Sequence, residues 1–175
     1  MLTKIDICSQ ALLKIGEQPI TSFSDDNPAS KISSTLYDVT LDSLLARHTW
    51  NFATNTIVLK RESDGKFTIP ADVLRIIDCD CKDYEIDGGK ILCDYPEIEI
   101  TSIVRVAADK LPAYFISLLT IKLAMEFCVP LTGNQNTFAL LNALFAAEFN
   151  TAKFIDSSSA KTNSIDDFSL ISTRF

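Results

Sequence analysis

Few residues in this chain have the types and spacing that chemistry needs. His48 is the single imidazole in 175 residues, and the single tryptophan, Trp50, stands two positions further on, inside LLARHTWNFATN. A Ser-His-Asp or Cys-His site would have to be built around His48. Its nearest thiol in sequence is Cys79, and no G-x-S-x-G elbow occurs. The structural reading is simpler. His48 closes a helix, where a partial positive charge meets the helix dipole. Trp50 and Phe52 alternate with it and wedge between two parts of the fold, fixing the angle between them. His48, Trp50 and Phe52 are therefore taken as a structural anchor.

The other reactive groups form no signature. Cys79 and Cys81 share one face of an expected strand and Cys93 lies on a later one, so three thiolates would need a fourth ligand to hold zinc. No paired C-x-x-C occurs, and Cys8 and Cys128 fall at helix core positions, so small buried hydrophobes account for all five cysteines. DCDCKDYEIDGG starts like a calcium loop with Asp78 and Asp80, then fails: Lys82, Asp83 and Gly89 stand at positions five, six and twelve. The five glycines form no phosphate loop, and nothing singles out one carboxylate pair among 23 acids. The expectation is a chain that is not an enzyme, with no cofactor, no metal and no catalytic residue.

Charge narrows the partners. Sixteen Lys and Arg against 23 Asp and Glu give a net charge of −7, the wrong sign for gripping phosphates. Five thiols with no disulfide framework fit a reducing cytoplasm, and Lys4 and Asp6 interrupt any opening signal sequence. Leu111–Leu131 imitates a membrane span, but Lys122 and Glu126 sit in its middle at a cost of about 2.5–3.5 kcal/mol each. A buried helix is expected instead, with no membrane partner.

These residues need elements to hold them. Ile5, Cys8, Ala11, Leu12 and Ile15 recur at helical spacing, and Gly16 closes that helix. Asp26 or Asn27 caps a second helix that has Pro28 in its first turn and runs to about Trp50. Strand patterns occupy 54–105, with a strand from Val73 to Cys81, a hairpin turning at Asp87-Gly88, and an alternating strand in EIEITSIVRV. After Pro112 the run AYFISLLTIKLAMEFCV is apolar nearly all round, and LTGNQN turns the chain. A last helix over Thr137–Ile155 directs Phe138, Leu141, Leu144, Phe145, Phe149 and Ala152 inward. The predicted fold is α+β, mainly α: a four-helix bundle (1–53 and 106–157), a small antiparallel β insert (54–105) between helices 2 and 3, and a flexible C-terminal arm (158–175). The arm keeps Ile165, Phe168, Leu170, Ile171, Arg174 and Phe175 as a set that awaits a partner surface.

Four phrases, ICSQALLKIGEQPITSFSDDNPAS, RHTWNFAT, IPADVLRI and LAMEFCVPLTGNQN, occur in this order. Together they resemble the tail tubular protein A family, the head-to-tail adaptors or gatekeepers of short-tailed phages, over about residues 3 to 157. The resemblance implies a ring, generally dodecameric, beneath the portal protein and above the tail nozzle protein. The ring lines the channel through which genomic DNA leaves without specific binding. It also implies a helical bundle bearing a β insert, no catalysis, and a place in the virion tail after assembly in the bacterial cytoplasm. The chain departs from the family's pattern in two places. NTIVLKRESDGKFT is shorter and more polar than the stretch usual there, and Thr49 follows the histidine where proline is common.

Three physical arguments agree with that reading. An acidic ring repels phosphates, so DNA slides. A ring of identical subunits needs heterologous contacts between two different patches, and bundle and insert offer two. A flexible apolar arm can wrap a neighbour or the portal at an ordering cost of about 2–5 kcal/mol. The alternative is a cytoplasmic helical binding module, chaperone-like, with a groove for a peptide and no ring.

Overall fold

A computed structural model describes residues 2–159. Over these residues the protein is α+β, with four helices and two small antiparallel sheets. The arm residues Ile165 to Phe175 lie outside the described residues.

Helix α1 (Lys4–Lys14) begins where the Thr3 hydroxyl accepts the Asp6 N–H at 3.2 Å and the Asp6 carboxylate accepts the Thr3 N–H at 2.8 Å. This reciprocal pair satisfies two amides that a helix start leaves orphaned. At the other end Gly16, with φ +83°, lets the Gly16 and Glu17 amides reach the carbonyls of Leu13 and Leu12. Helix α2 (Pro28–Ala46) is capped by Asn27, whose side chain accepts the Ser30 N–H at 2.7 Å. It ends at Ala46, not at Trp50. Arg47 is the C-cap, and Trp50 is already extended (φ −76°, ψ 127°) so that its indole can turn into the core.

A single 3-10 turn (Asn51–Ala53) leads into the strands. The larger sheet has the order β1 (Thr54–Lys60), β6 (Glu97–Val104), β3 (Val73–Cys79), all antiparallel neighbours. In β6 the alternate residues Ile98, Ile100 and Ser102 are buried, the pattern of a strand with one covered face. Two register shifts in β3, between Val73 and Arg75 and between Ile76 and Asp78, bend that edge. Cys81 falls beyond β3, so Cys79 and Cys81 do not share a strand face as expected.

The smaller sheet has the order β2 (Phe67–Thr68), β5 (Lys90–Leu92), β4 (Glu85–Asp87). Phe67 pairs directly with Ile91, and both are fully buried. The β4–β5 hairpin turns on Gly88-Gly89 and not on Asp87-Gly88. Both glycines have positive φ (57° and 80°), as a tight two-residue loop requires, and Asp87 pairs with Lys90 within the ladder.

Helix α3 (Ala113–Thr132) is the central element, packed against α1, α2 and α4. Phe115, Leu118, Leu119, Leu123, Ala124 and Phe127 are fully buried in it. It is the one described helix long and apolar enough to cross a membrane, and 56% of that stretch is buried within the protein. Lys122 and Glu126 lie on its flank and pair at 2.5 Å. The helix runs past Pro130, which falls in its last turn where a missing N–H costs one bond, and Gly133 (φ 61°) ends it.

Helix α4 (Gln135–Ser159) starts where the Asn134 side chain accepts the amides of Asn136 and Thr137 at 3.0 and 3.1 Å. Leu141, Phe145, Ala152 and Asp156 are its buried residues. Phe138 and Leu144, expected inward, are exposed instead, because α4 has apolar residues on two faces and only one meets α3.

Two apolar cores result. One joins the helices and takes in Ala53 and Ile103 from the strand ends. The other, around Phe67, Cys81, Ile91, Ile98 and Ile100, lies between the strands. Arg105, just after β6, ties the strands to α2 through a two-pronged ion pair with Asp42.

Candidate functional site

The corner between α2 and β1 gathers the single histidine and the single tryptophan with residues from α3 and α4. Trp50 is fully buried, and its indole N–H donates to the Leu44 carbonyl at 3.2 Å. Its carbonyl accepts the Thr54 hydroxyl at 2.7 Å and the Ala53 amide at 3.1 Å, which forms the 3-10 turn. The indole is ringed edge to face by His48 (4.9 Å), Phe115 (5.1 Å) and Phe149 (5.9 Å). Phe52, half-buried, packs on Phe115 at 5.0 Å and Tyr114 at 6.1 Å. Edge-to-face pairs of this kind add about 0.5–1.5 kcal/mol each beyond the area they bury. The Arg47 guanidinium covers Phe149 at 5.2 Å and Phe145 at 5.5 Å.

The structure thus brings His48, Trp50 and Phe52 into one aromatic cluster that joins the end of α2 to α3 and α4. One expectation is corrected. His48 does not close the helix: it lies one residue beyond the Arg47 C-cap of α2. Burial holds its pKa below the ordinary value, and the nearby Asp156 carboxylate opposes that effect with less weight. Among the described residues no side chain hydrogen-bonds to the imidazole.

Beside the rings lies a polar knot that the sequence reading missed. Asp156 is buried to 1% exposure on α4. Its carboxylate accepts the Asn51 amide at 2.9 Å and the Tyr114 hydroxyl at 2.7 Å, while the Asn51 side-chain amide donates to the Asp156 carbonyl at 2.7 Å. Burial, then the Asp156 bond, pushes the Tyr114 phenol above its ordinary pKa. A signal for this knot does exist in the sequence. Asp156 stands four residues after Ala152 on the inward line of α4, where an acid needs a partner.

The cysteines fall in two places. Cys8 and Cys128 are buried among the helices, and Cys79, Cys81 and Cys93 belong to the strand core. Among the described residues no three His, Cys, Asp or Glu side chains are placed to hold a metal ion. Burial pushes the Cys8 thiol up to about 12 and raises those of Cys79 and Cys81. Asp78 and Asp80 are exposed on the edge of the large sheet. A depression of about 730 Å³ opens beside Arg61, Tyr84, Cys93 and Tyr95 and includes no residue of the aromatic corner.

The corner is built to hold elements together: buried rings with the half-buried imidazole at their rim, and one buried carboxylate with its donors. No protein-family model matches the chain, and no curated protein matches it.

Proposed function

We propose that this chain is a structural head-to-tail adaptor, one copy of a ring set between a phage portal and a tail nozzle and lining the DNA exit channel. In this reading the four helices act as a bundle, residues 54–105 are an insert carried between the second and third helices, and 158–175 is the arm that reaches a neighbour or the portal. The chain performs no catalysis and needs no cofactor.

One observation carries the proposal. The four family-like phrases fall at the joints of the fold. The first spans the end of α1 and the Asn27 cap of α2, and RHTWNFAT makes the corner from α2 to β1. IPADVLRI leads into β3, and LAMEFCVPLTGNQN makes the turn from α3 to α4. Joints set the directions of elements, and their backbone geometry restricts residue choice more tightly than an apolar face does. Agreement at four joints in chain order therefore says more than agreement along helix faces. The buried aromatic corner supports the same reading, since a collar segment has to keep helices and strands at a fixed angle under load.

Electron microscopy of the full chain mixed with its phage portal tests this. Rings stacked on the portal are expected, and a chain that stays single beside bare portals would sink the proposal. A chain lacking Ser164–Phe175 should melt like the full one and be retained less by immobilised portal. Full retention would remove the arm from the portal contact.

A further inference from the structure

Three of the five cysteines meet in one place, although they come from different strands. Cys81 is 1% exposed in the core between the strands, and Cys79 and Cys93 pack against that core. The Asp80 amide donates to the Glu99 carbonyl at 3.1 Å, so the chain holds to the large sheet as far as Cys81. Cys93 directly follows β5 of the small sheet, where Leu92 pairs with Glu85. One thiol therefore stands at the end of each sheet.

Both also line the depression of about 730 Å³ beside Arg61, Tyr84 and Tyr95, and they do so unequally. Cys81 is buried, and its thiol donates to the Asp83 carbonyl at 3.5 Å. Cys93 is half-buried and is reached through the depression. Burial, and after it the Cys93 side chain within hydrogen-bonding reach, raises the Cys81 thiol. A reachable thiol beside a buried one is what thiol–disulfide exchange needs: one sulfur meets the reagent and the other displaces it. Cys79, paired with Ile100 on β3, does not line the depression.

We infer that Cys81 and Cys93 are a redox pair, closed to a disulfide by exchange with a low-molecular-weight disulfide such as oxidised glutathione. The Cys93 thiolate attacks one sulfur of the reagent, a mixed disulfide forms, and one glutathione thiolate leaves. The Cys81 thiolate then attacks the Cys93 sulfur and the second glutathione leaves. The two cysteine protons end on the two glutathione thiols, and the two electrons that the cysteines lose reduce the reagent.

The bond acts on a lightly held part of the fold. Strands β4 and β5 lie wholly between the two cysteines, and among the described residues they pair with each other and with β2. A hairpin this short is marginal by itself. Ile91 anchors it in the core, and the ion pairs of Lys66 and Lys90 around it are partly exposed and of little weight. A disulfide ties both of its ends to the large sheet. Closing the thirteen residues from Cys81 to Cys93 into a loop disfavours the unfolded chain by about a hundredfold. The inference is independent of the adaptor reading, since it needs only these two sulfurs.

The test takes the full chain, fully reduced, through rising ratios of oxidised to reduced glutathione, with acid quenching and tryptic mass mapping without reduction. Cleavage after Lys82 and Lys90 puts Cys81 and Cys93 on separate peptides, and fragmentation at Asp80 tells Cys81 from Cys79. A Cys81–Cys93 link is expected before any other, with Cys8 and Cys128 still reduced. The unfolding equilibrium constant in urea should fall by about a hundredfold on oxidation, and Cys93→Ser should lose both the link and this gain. Cys81→Ser should stop at the mixed disulfide on Cys93. A wild-type chain that keeps glutathione on Cys93, that links Cys79 in place of Cys81, or that forms no bond until it unfolds overturns the inference.

Discussion

The Asp156 carboxylate accepts the backbone amide of Asn51 at 2.9 Å, across 105 residues of chain. The same carboxylate accepts the Tyr114 hydroxyl at 2.7 Å, so one buried acid joins α4, the turn after α2 and the first turn of α3. A buried acceptor of this kind matters most through what its loss leaves behind. Asp156→Ala strands the phenol and the amide, and about 2–3 kcal/mol of stability should go, read by urea unfolding. Tyr114→Phe removes one donor and should cost about 1–1.5 kcal/mol. The double variant should lose less than the sum, by about 1 kcal/mol. Strict additivity would mean that the two side chains do not interact.

The same pair makes stability depend on alkaline pH. An unfolded tyrosine ionises near pH 10. In the folded chain burial and then the Asp156 bond raise the Tyr114 phenol above that. Above about pH 10 the unfolded chain gives up a proton that the folded chain keeps, so this contribution is whole below pH 10 and declines as pH rises toward the folded value. Tyr37, also raised by burial, adds a second decline of the same sign. Urea midpoints between pH 8 and 11 should therefore fall less steeply in Tyr114→Phe than in the wild type. Equal slopes would assign the effect to the other groups that burial raises, Tyr37 and the Cys8, Cys79 and Cys81 thiols.

Local chemistry made the element order readable, and distance hid the rest. Thr3, Asn27, Pro28, Gly16 and Gly133 act within a turn of themselves, so the helix ends follow from residue type. The alternation in EIEITSIV likewise marks a half-covered strand. The pairing of Phe67 with Ile91 joins strands of two and three residues, too short to show a period. Phe138 and Leu144 were expected inward because α4 has apolar residues on two faces, and periodicity does not say which face α3 will cover. Trp50 and Phe52 were legible as large aromatics at a change of pattern. The Asp156 knot was not, because its partners are brought together only by the packing of α4 on the corner.

Thiol labelling separates the cysteines by burial. Cys8, Cys81 and Cys128 are buried, whereas Cys79 and Cys93 are partly exposed. The thiolate is the reactive form, and burial pushes the Cys8 thiol up to about 12. With iodoacetamide at pH 8 and mass mapping, Cys93 and Cys79 should be alkylated first. Cys8, Cys81 and Cys128 should wait for unfolding. Early labelling of Cys8 would show that α1 opens readily from α2 and α3.

Trp50 is where the largest single loss is expected. Its ring is fully buried against His48, Phe115 and Phe149, and its N–H is held by the Leu44 carbonyl. Trp50→Ala removes the ring and leaves a cavity that rigid helices cannot close, for about 3–5 kcal/mol. Trp50→Phe keeps an aromatic but frees that carbonyl and part of the volume, so about 1–3 kcal/mol should go. His48→Ala, at the half-buried rim, should cost less than either. Urea unfolding of the three variants gives the order. A Trp50→Ala chain as stable as wild type would mean that the indole does not hold α2 to α3 and α4, and that the strands rather than the rings keep this corner closed.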